Sequence, residues 1–259
     1  MNKTYAFSDI HGCYDVLKQI LKYCDDTDII YFLGDACDRG PEGLKCIQTL
    51  KDESRVIYLK GNHEDIAAKA LPAIFDETLW DTRDTDVSIW YSNGGVPTID
   101  DFSKCSLESI YSYVRYFNSL QLNTYYINKN GQLIILDHAG FTPFISRKHD
   151  PLWDREHFKD KWIKDDNIFL IHGHTPVQYL KFYYGYEGQE PETQEEMEWK
   201  REFMENENTG WRPSVIRYCS GHKFDIDLGT CFSGVAALLD LDTLEPIYFD
   251  KDGAINDGR

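Results

Sequence analysis

The chain is 259 residues long, 42% hydrophobic, with a formal net charge of −17 and seven scattered cysteines. That length can bury a full core without disulfide or oligomer support, as one α/β domain or one domain carrying an insertion. The acidity argues against a DNA or RNA groove and against an anionic membrane surface, and the odd cysteine count without a C-x-x-C pair argues against a disulfide framework.

From the start of the chain, Thr4 to Ser8 reads as a short strand with no charged and apolar leader before it. No apolar run approaches the ~20 residues of a membrane span. With reduced thiols, this sets the expectation of a soluble cytoplasmic protein with neither membrane nor nucleic acid as partner. Tyr14 to Leu21 reads as a helix, because Val16, Leu17, Ile20 and Leu21 fall on one face. Ile29 to Leu33 is a continuous apolar run, as a buried parallel strand requires. Gly40 to Leu50 reads as a helix with Pro41 in its first turn, and Val56 to Leu59 as a third strand. This βαβαβ rhythm predicts a parallel sheet with helices packed on it.

Residues 65–120 read as a helical cap over the sheet edge. Leu133 to Leu136 and Ile168 to Ile171 are two further strands. Residues 183–212 are rich in Glu and broken by Gly185, Gly188, Pro191 and Gly210. They read as an acidic insertion, either a charged helix around Glu195 to Glu205 or a flap. Phe224 to Leu228, Val235 to Leu239 and Pro246 to Phe249 close the chain as strands.

The strands run into polar, glycine-containing segments: Ser8-Asp9-Ile10-His11-Gly12, Gly34-Asp35-Ala36-Cys37-Asp38-Arg39-Gly40 and Gly61-Asn62-His63-Glu64. Later strands lead into Asp137-His138-Ala139-Gly140 and His172-Gly173-His174-Thr175-Pro176. Functional residues of open α/β sheets collect at such strand ends. Asp9, His11, Asp35, Asn62, His138 and His174 together offer carboxylate, imidazole and amide ligands that suit Mn, Fe or Zn. Asp9 and His11 are two apart, so both can face one side of the sheet. Asp35 carries two oxygens, enough to bridge two metals ~3.5–4 Å apart that clamp a phosphate and activate water.

In order and spacing, D-x-H-G, G-D-x-x-D-R-G and G-N-H-E resemble the calcineurin-like metallophosphoesterases. More narrowly they resemble the phosphoprotein phosphatase family and its small phage and bacterial serine/threonine phosphatases. Asn93-Gly94-Gly95, His138-Ala139-Gly140, Trp153-x-Arg155-Glu156, Gly173-His174-Thr175-Pro176 and Ile226-Asp227-x-Gly229 extend the likeness over residues 9–234. The resemblance implies a sandwich of two mixed β-sheets flanked by helices, with the helical cap, as a single domain over 1–259. It implies one metal on Asp9, His11 and Asp35, with Asp35 bridging to a second metal on Asn62, His138 and His174. Manganese is the foremost candidate, with iron or zinc as alternatives. It implies a hydroxide between the metals as nucleophile and His63 as general acid, a role that contributes ~10²–10⁴ in rate. Asp38 would orient His63 and favour its protonated form, while Arg39 and Arg155 would bind the phosphate oxygens. Asn93 would line the substrate cleft, although the Trp90 to Gly95 segment serves equally as a turn.

The implied substrates are phosphoserine or phosphothreonine in a phosphoprotein or phosphopeptide. A nucleotide substrate is the rival, because Asp9 to Asp15 also resembles the symmetrical diadenosine tetraphosphatases. Those typically lack the acid of D-R-G and read G-N-H-D, whereas this chain keeps Asp38 and Glu64. A noncatalytic metal-binding scaffold ranks below both. Lys60 departs from the arginine that often precedes G-N-H-E, and an ammonium offers no bidentate fork. Cys37 reads as a small buried filler, Asp227 as structural, and His149, His157 and His222 as surface residues. His172 is left out of the ligand set.

Overall fold

The computed structural model describes residues 2–76, 78, 85–141, 150–158, 163–180 and 213–255. The acidic segment 183–212, its expected helix and His149 lie outside the described residues.

Strand β1 (Thr4–Phe7) is buried throughout because its alternate side chains enter two different cores. Tyr5 and Phe7 join one cluster and Ala6 another. Strand β2 (Ile29–Phe32) divides the same way, with Ile30 and Phe32 on one side and Tyr31 on the other. It pairs in parallel with β1 and with β3 (Val56–Tyr58). Helix α1 (Tyr14–Tyr23) buries the expected stripe of Val16, Leu17, Ile20 and Leu21. Helix α2 (Gly43–Asp52) begins later than the sequence implies, after its N-cap Glu42. Asp38 and Arg39 hold φ of 70° and 63°, which no right-handed helix accommodates, so Pro41 stands ahead of the first turn.

Helices α3 (Asn62–Phe75), α4 (Thr85–Ser92), α5 (Val96–Phe102) and α6 (Leu107–Ser119) occupy the range read as a cap. Their Ile66, Leu71, Trp90, Phe102 and Phe117 share one cluster with Tyr5, Phe7, Ile30 and Phe32, so they pack on the outer face of the first sheet. Strand β4 (Asn123–Ile127) is one the sequence reading lacked. As the edge of the second sheet it turns Asn123, Tyr125 and Ile127 to solvent, so it has no apolar stripe to read. It runs antiparallel to β5 (Leu133–Asp137), which pairs in parallel with β6 (Ile168–His172). Strands β7 (Ile216–Tyr218) and β8 (Lys223–Asp225) complete that sheet. The strand expected to reach Leu228 ends at Asp225 and gives way to a short helix, α7 (Thr230–Ser233). Strands β9 (Ala236–Asp240), β10 (Glu245–Asp250) and β11 (Gly253–Ala254) return to the first sheet.

The two mixed sheets run β11-β10-β9-β1-β2-β3 and β4-β5-β6-β8-β7. Between them lie Ala6, Tyr31, Leu33, Leu59, Ile134, Leu136, Phe169, Ile171, Phe224 and Leu239. Each leucine, isoleucine and phenylalanine among them contributes about 1.5–3 kcal/mol by leaving water, so this seam fixes the sheets against each other. The architecture is the α/β sandwich of two mixed sheets that the sequence implies. No helix among the described residues is long and apolar enough to cross a membrane. At one end, the loops after β1, β2, β5 and β6 meet: Asp9 N–H donates to Gly34 O over 3.1 Å and Gly173 N–H to His138 O over 2.9 Å.

Candidate metal centre

The loops at this end of the two sheets hold an unusual backbone. Among the described residues nine non-glycine positions have positive φ, and six of them are Asp9, His11, Asp35, Asp38, Arg39 and His174. Side-chain-bearing residues adopt that region only where surrounding contacts enforce it. The enforcing contacts are present. Glu64 is fully buried and its carboxylate accepts from Asp35 N (2.9 Å), Ala36 N (2.8 Å), Gly61 N (2.9 Å) and Tyr58 Oη (2.8 Å). Asp35 Oδ1 in turn accepts from His63 N at 3.0 Å, the first turn of α3. The crossing is so close that a Cβ on Gly61 would collide with Asp35 Oδ1, which explains the glycine of G-N-H-E.

The second sheet closes over this cradle. His138 follows β5, and its Nδ1 lies 2.8 Å from Leu33 O at the end of β2. With the ring proton on Nδ1, Nε2 turns its lone pair toward Asn62 Oδ1 (2.8 Å) and Asp35 Oδ2 (3.5 Å). His174 reaches the same Asn62 Oδ1 through Nδ1 at 2.9 Å, and its backbone N–H donates to Asp9 Oδ2 over 3.0 Å. Ser8 Oγ donates to the same Asp9 oxygen. On the other side His11 Nδ1 donates to Cys37 O (2.7 Å), which leaves Nε2 3.6 Å from Asp35 Oδ2 and 3.9 Å from Asp9 Oδ1. All six sequence-derived ligand positions therefore converge, with Asp35 between the two groups.

The electrostatics identify what this cluster fits. Burial, then Asp9 and Glu64, push the Asp35 carboxyl well above the usual range. Burial, then Asp227, push Asp9 up to about 7. Burial holds His11, His138 and His174 below the ordinary imidazole value, so they stay neutral with lone pairs available. Crowded carboxylates and neutral imidazoles repel negative charge and attract a cation. Asp9 Oδ1 and His174 Nε2 are buried with no hydrogen-bond partner among the described residues. Two triads, His11-Asp35-His63 and Asp35-His138-His174, have ligand atoms within 4.8 Å of one another. The donor set fits a pair of divalent cations sharing Asp35.

His63 lies beside the cluster, fully buried, with Nδ1 2.5 Å from Asp38 Oδ2. Burial, then Arg39 and His138, hold His63 well below its ordinary value. Asp38 itself is pushed up to about 6 by burial. Arg39 donates to His63 Nε2 at 3.0 Å and to His11 Nε2 at 2.5 Å, so its guanidinium takes the part of a cation toward both rings. Arg155 sits beside the His174 loop, with Nε donating to Thr175 Oγ1 over 2.9 Å and Nη1 to Trp153 O over 3.3 Å. Trp153 stands edge-on to the His174 ring at 5.9 Å.

The remaining residues singled out in the sequence divide between expected and unexpected places. Asn93 donates from Nδ2 to Ile89 O over 2.8 Å, a bond that closes the end of α4. Lys60 is buried and points toward Asp65, Nζ to Oδ1 3.9 Å. Cys37 is fully buried, and burial raises its thiol well above the ordinary value. Asp227 Oδ1 accepts from Gly229 N at 2.8 Å, and His222 is half-buried. His157 corrects the sequence reading: it is buried, not on the surface. Its Nδ1 lies 2.9 Å from Tyr218 Oη, which lies 2.7 Å from His172 Nε2. The network was invisible in the sequence because its members stand 46 and 61 residues apart. Trp90, Thr98 and Glu64 support the site directly; Glu64 was marked by the G-N-H-E motif and Trp90 only as part of the segment to Gly95, while Thr98 carried no sequence signal.

The profile of the calcineurin-like phosphoesterases matches residues 3–223. The chain is 27% identical over 187 residues to serine/threonine-protein phosphatase 1 of Salmonella typhimurium, covering 67% of this chain and 79% of that protein. It is 41% identical over 64 residues to the symmetrical bis(5'-nucleosyl)-tetraphosphatase of Buchnera aphidicola subsp. Schizaphis graminum, covering 23% of each. A metallophosphoesterase from Sphaerobacter thermophilus superimposes with a TM-score of 0.50 at 16% identity over 96% of this chain and 87% of that one, which shows a shared fold. The match over most of the chain and the convergent carboxylate–imidazole cluster place this protein in the calcineurin-like phosphoesterase family, as a metal-dependent phosphoesterase.

Proposed function

We propose that the chain hydrolyses phosphate monoesters of serine and threonine in proteins or peptides. Asp9, His11 and Asp35 would hold one divalent ion and Asp35, Asn62, His138 and His174 the other, with manganese the foremost candidate. Such a pair supplies Lewis acidity to the phosphoryl oxygens and activation of water. Arg39 and Arg155 bind the nonbridging phosphate oxygens, a task that suits their planar forks. To do so, Arg39 leaves the His11 and His63 nitrogens it now contacts. That frees His63 Nε2 to carry a proton to the leaving oxygen, while Nδ1–H stays on Asp38. The negative charge of a bound phosphate offsets the Arg39 charge that now disfavours the imidazolium. We assign Asn93 to helix closure ahead of substrate binding, on its bond to Ile89 O. Seven scattered cysteines without a C-x-x-C pair support a reducing, cytoplasmic setting.

The observation that carries this reading is the buried 2.5 Å Asp38–His63 pair beside Arg39. A serine alkoxide is a poor leaving group and needs a proton donor, whereas a nucleotide leaves as a stabilised phosphate anion and needs none. The second reading, hydrolysis of a dinucleoside tetraphosphate, is supported by the 41% identity over 64 residues to the Buchnera enzyme. The test strips the protein with chelator and restores Mn, Fe(II), Zn or Mg separately. Each form is assayed on phosphoserine and phosphothreonine peptides and on diadenosine tetraphosphate, beside His63→Asn. Metal-dependent peptide turnover that collapses in His63→Asn is expected. Preference for diadenosine tetraphosphate would transfer the substrate to the second reading.

A further inference from the structure

We propose that Trp90 is a positioning residue for proton donation by His63, so that the α4–α5 segment belongs to the reaction machinery. The inference rests on the reading of His63 as general acid. Asp38 has φ 70° and sits on a loop whose backbone does not by itself fix the carboxylate. Three contacts from the helical segment hold this loop, one of them directly on the carboxylate, and a fourth packs the segment on its own tryptophan. Trp90 Nε1–H donates to Asp38 Oδ2 over 2.8 Å, the same oxygen that His63 Nδ1 meets at 2.5 Å. Asp38 N–H donates to Thr98 Oγ1 over 2.9 Å. Arg39 N–H donates to Gly94 O over 2.8 Å. Gly95 lies flat against the Trp90 ring, where an added Cβ would come within 2.5 Å of Cδ1.

The chemistry of the donors makes this more than packing. An indole N–H can only donate, so Oδ2 accepts from Trp90, and as an ionised carboxylate oxygen it accepts from His63 Nδ1–H as well. Two donors converging on one oxygen hold the carboxylate in one orientation. That keeps the ring proton of His63 on Nδ1 and directs Nε2 toward Arg39. Trp90 is fully buried in the helical core, which fixes the indole as rigidly as any group in the cluster. With the indole N–H gone, Asp38 keeps His63 but loses its own anchor.

Leaving-group dependence tests this, because a proton donor matters for an alkoxide and hardly at all for p-nitrophenolate. The variants are Trp90→Phe, which keeps an aromatic filler, and Thr98→Val, which removes the neighbouring anchor without touching the core aromatic. His63→Asn serves as reference. Each is checked for folding by circular dichroism and for metal content before assay on a phosphoserine peptide and on p-nitrophenyl phosphate. The expected result is a kcat loss of about tenfold on the peptide and under about twofold on p-nitrophenyl phosphate for Trp90→Phe, with Thr98→Val in the same direction. Equal losses on both substrates, or no loss on either, in folded and metal-loaded variants overturn the inference. If Trp90→Phe does not fold, Thr98→Val alone decides by the same criterion. If His63→Asn itself shows no leaving-group dependence, the general-acid reading falls and this inference falls with it. A selective loss in His63→Asn without one in either variant overturns only the role of Trp90.

Discussion

The two sheets hold their halves of the site by different means. The loops of the first sheet are locked through the main chain: Glu64 gathers three backbone N–H groups, that of the positive-φ Asp35 among them, and a tyrosine hydroxyl, while Asp9 and His11 N–H donate to Gly34 O and Asp35 O. The loops of the second sheet are held through side chains from distant strands, with Tyr218 joining His157 to His172 and Arg155 fastened to Thr175. A main-chain lock of this kind draws its parts from compact motifs, Gly34 to Gly40 and Gly61 to Glu64. A side-chain brace needs only that the fold bring its parts together.

Asp35 is common to both halves, so its removal has the largest expected effect. Asp35→Ala is expected to abolish turnover and to lose both ions, read by elemental analysis after gel filtration; retention of one ion at full occupancy would show that the halves are independent. Glu64→Gln attacks the main-chain lock alone. Whichever way its amide is placed, the NH₂ faces at least one backbone N–H donor, so we expect a stability loss of about 1–3 kcal/mol in urea unfolding. An unchanged midpoint would mean the lock is redundant. Tyr218→Phe attacks the brace, with an expected loss of about 1 kcal/mol and a metal affinity about tenfold weaker, measured by competition with a chelating dye. If Tyr218→Phe proved as damaging as Glu64→Gln, the contrast between lock and brace would not stand. Lys60→Met is the smallest change: Nζ faces Asp65 at 3.9 Å, so stability should move by less than about 1 kcal/mol and KM should hold. A large rise in KM would instead give Lys60 to the phosphate.

The same contrast explains what could be read in advance. Strands β1, β2, β5 and β6 and the six converging side chains were legible, because continuous apolar runs end in compact polar motifs, and the first-sheet lock joins two of those motifs. The start of α2 was misplaced because Gly40 and Pro41 look like a helical first turn while Asp38 and Arg39 require a left-handed backbone. Strand β4 was missed because it is an exposed edge without an apolar face. His157 looked like a surface residue because its partners, Tyr218 and the aromatic ring of Phe158, gain meaning only once β6, β7 and β8 are assembled. Trp90 was legible as part of a segment near the cleft but not as a donor to Asp38, a contact spanning 52 residues.

The central claim is that two divalent ions share Asp35 between these halves. Anomalous diffraction from crystals grown with manganese, collected above the manganese edge, tests it most directly. The account predicts two peaks, one among Asp9, His11 and Asp35 and the other among Asp35, Asn62, His138 and His174. A single peak, or peaks away from Asp35, would contradict it.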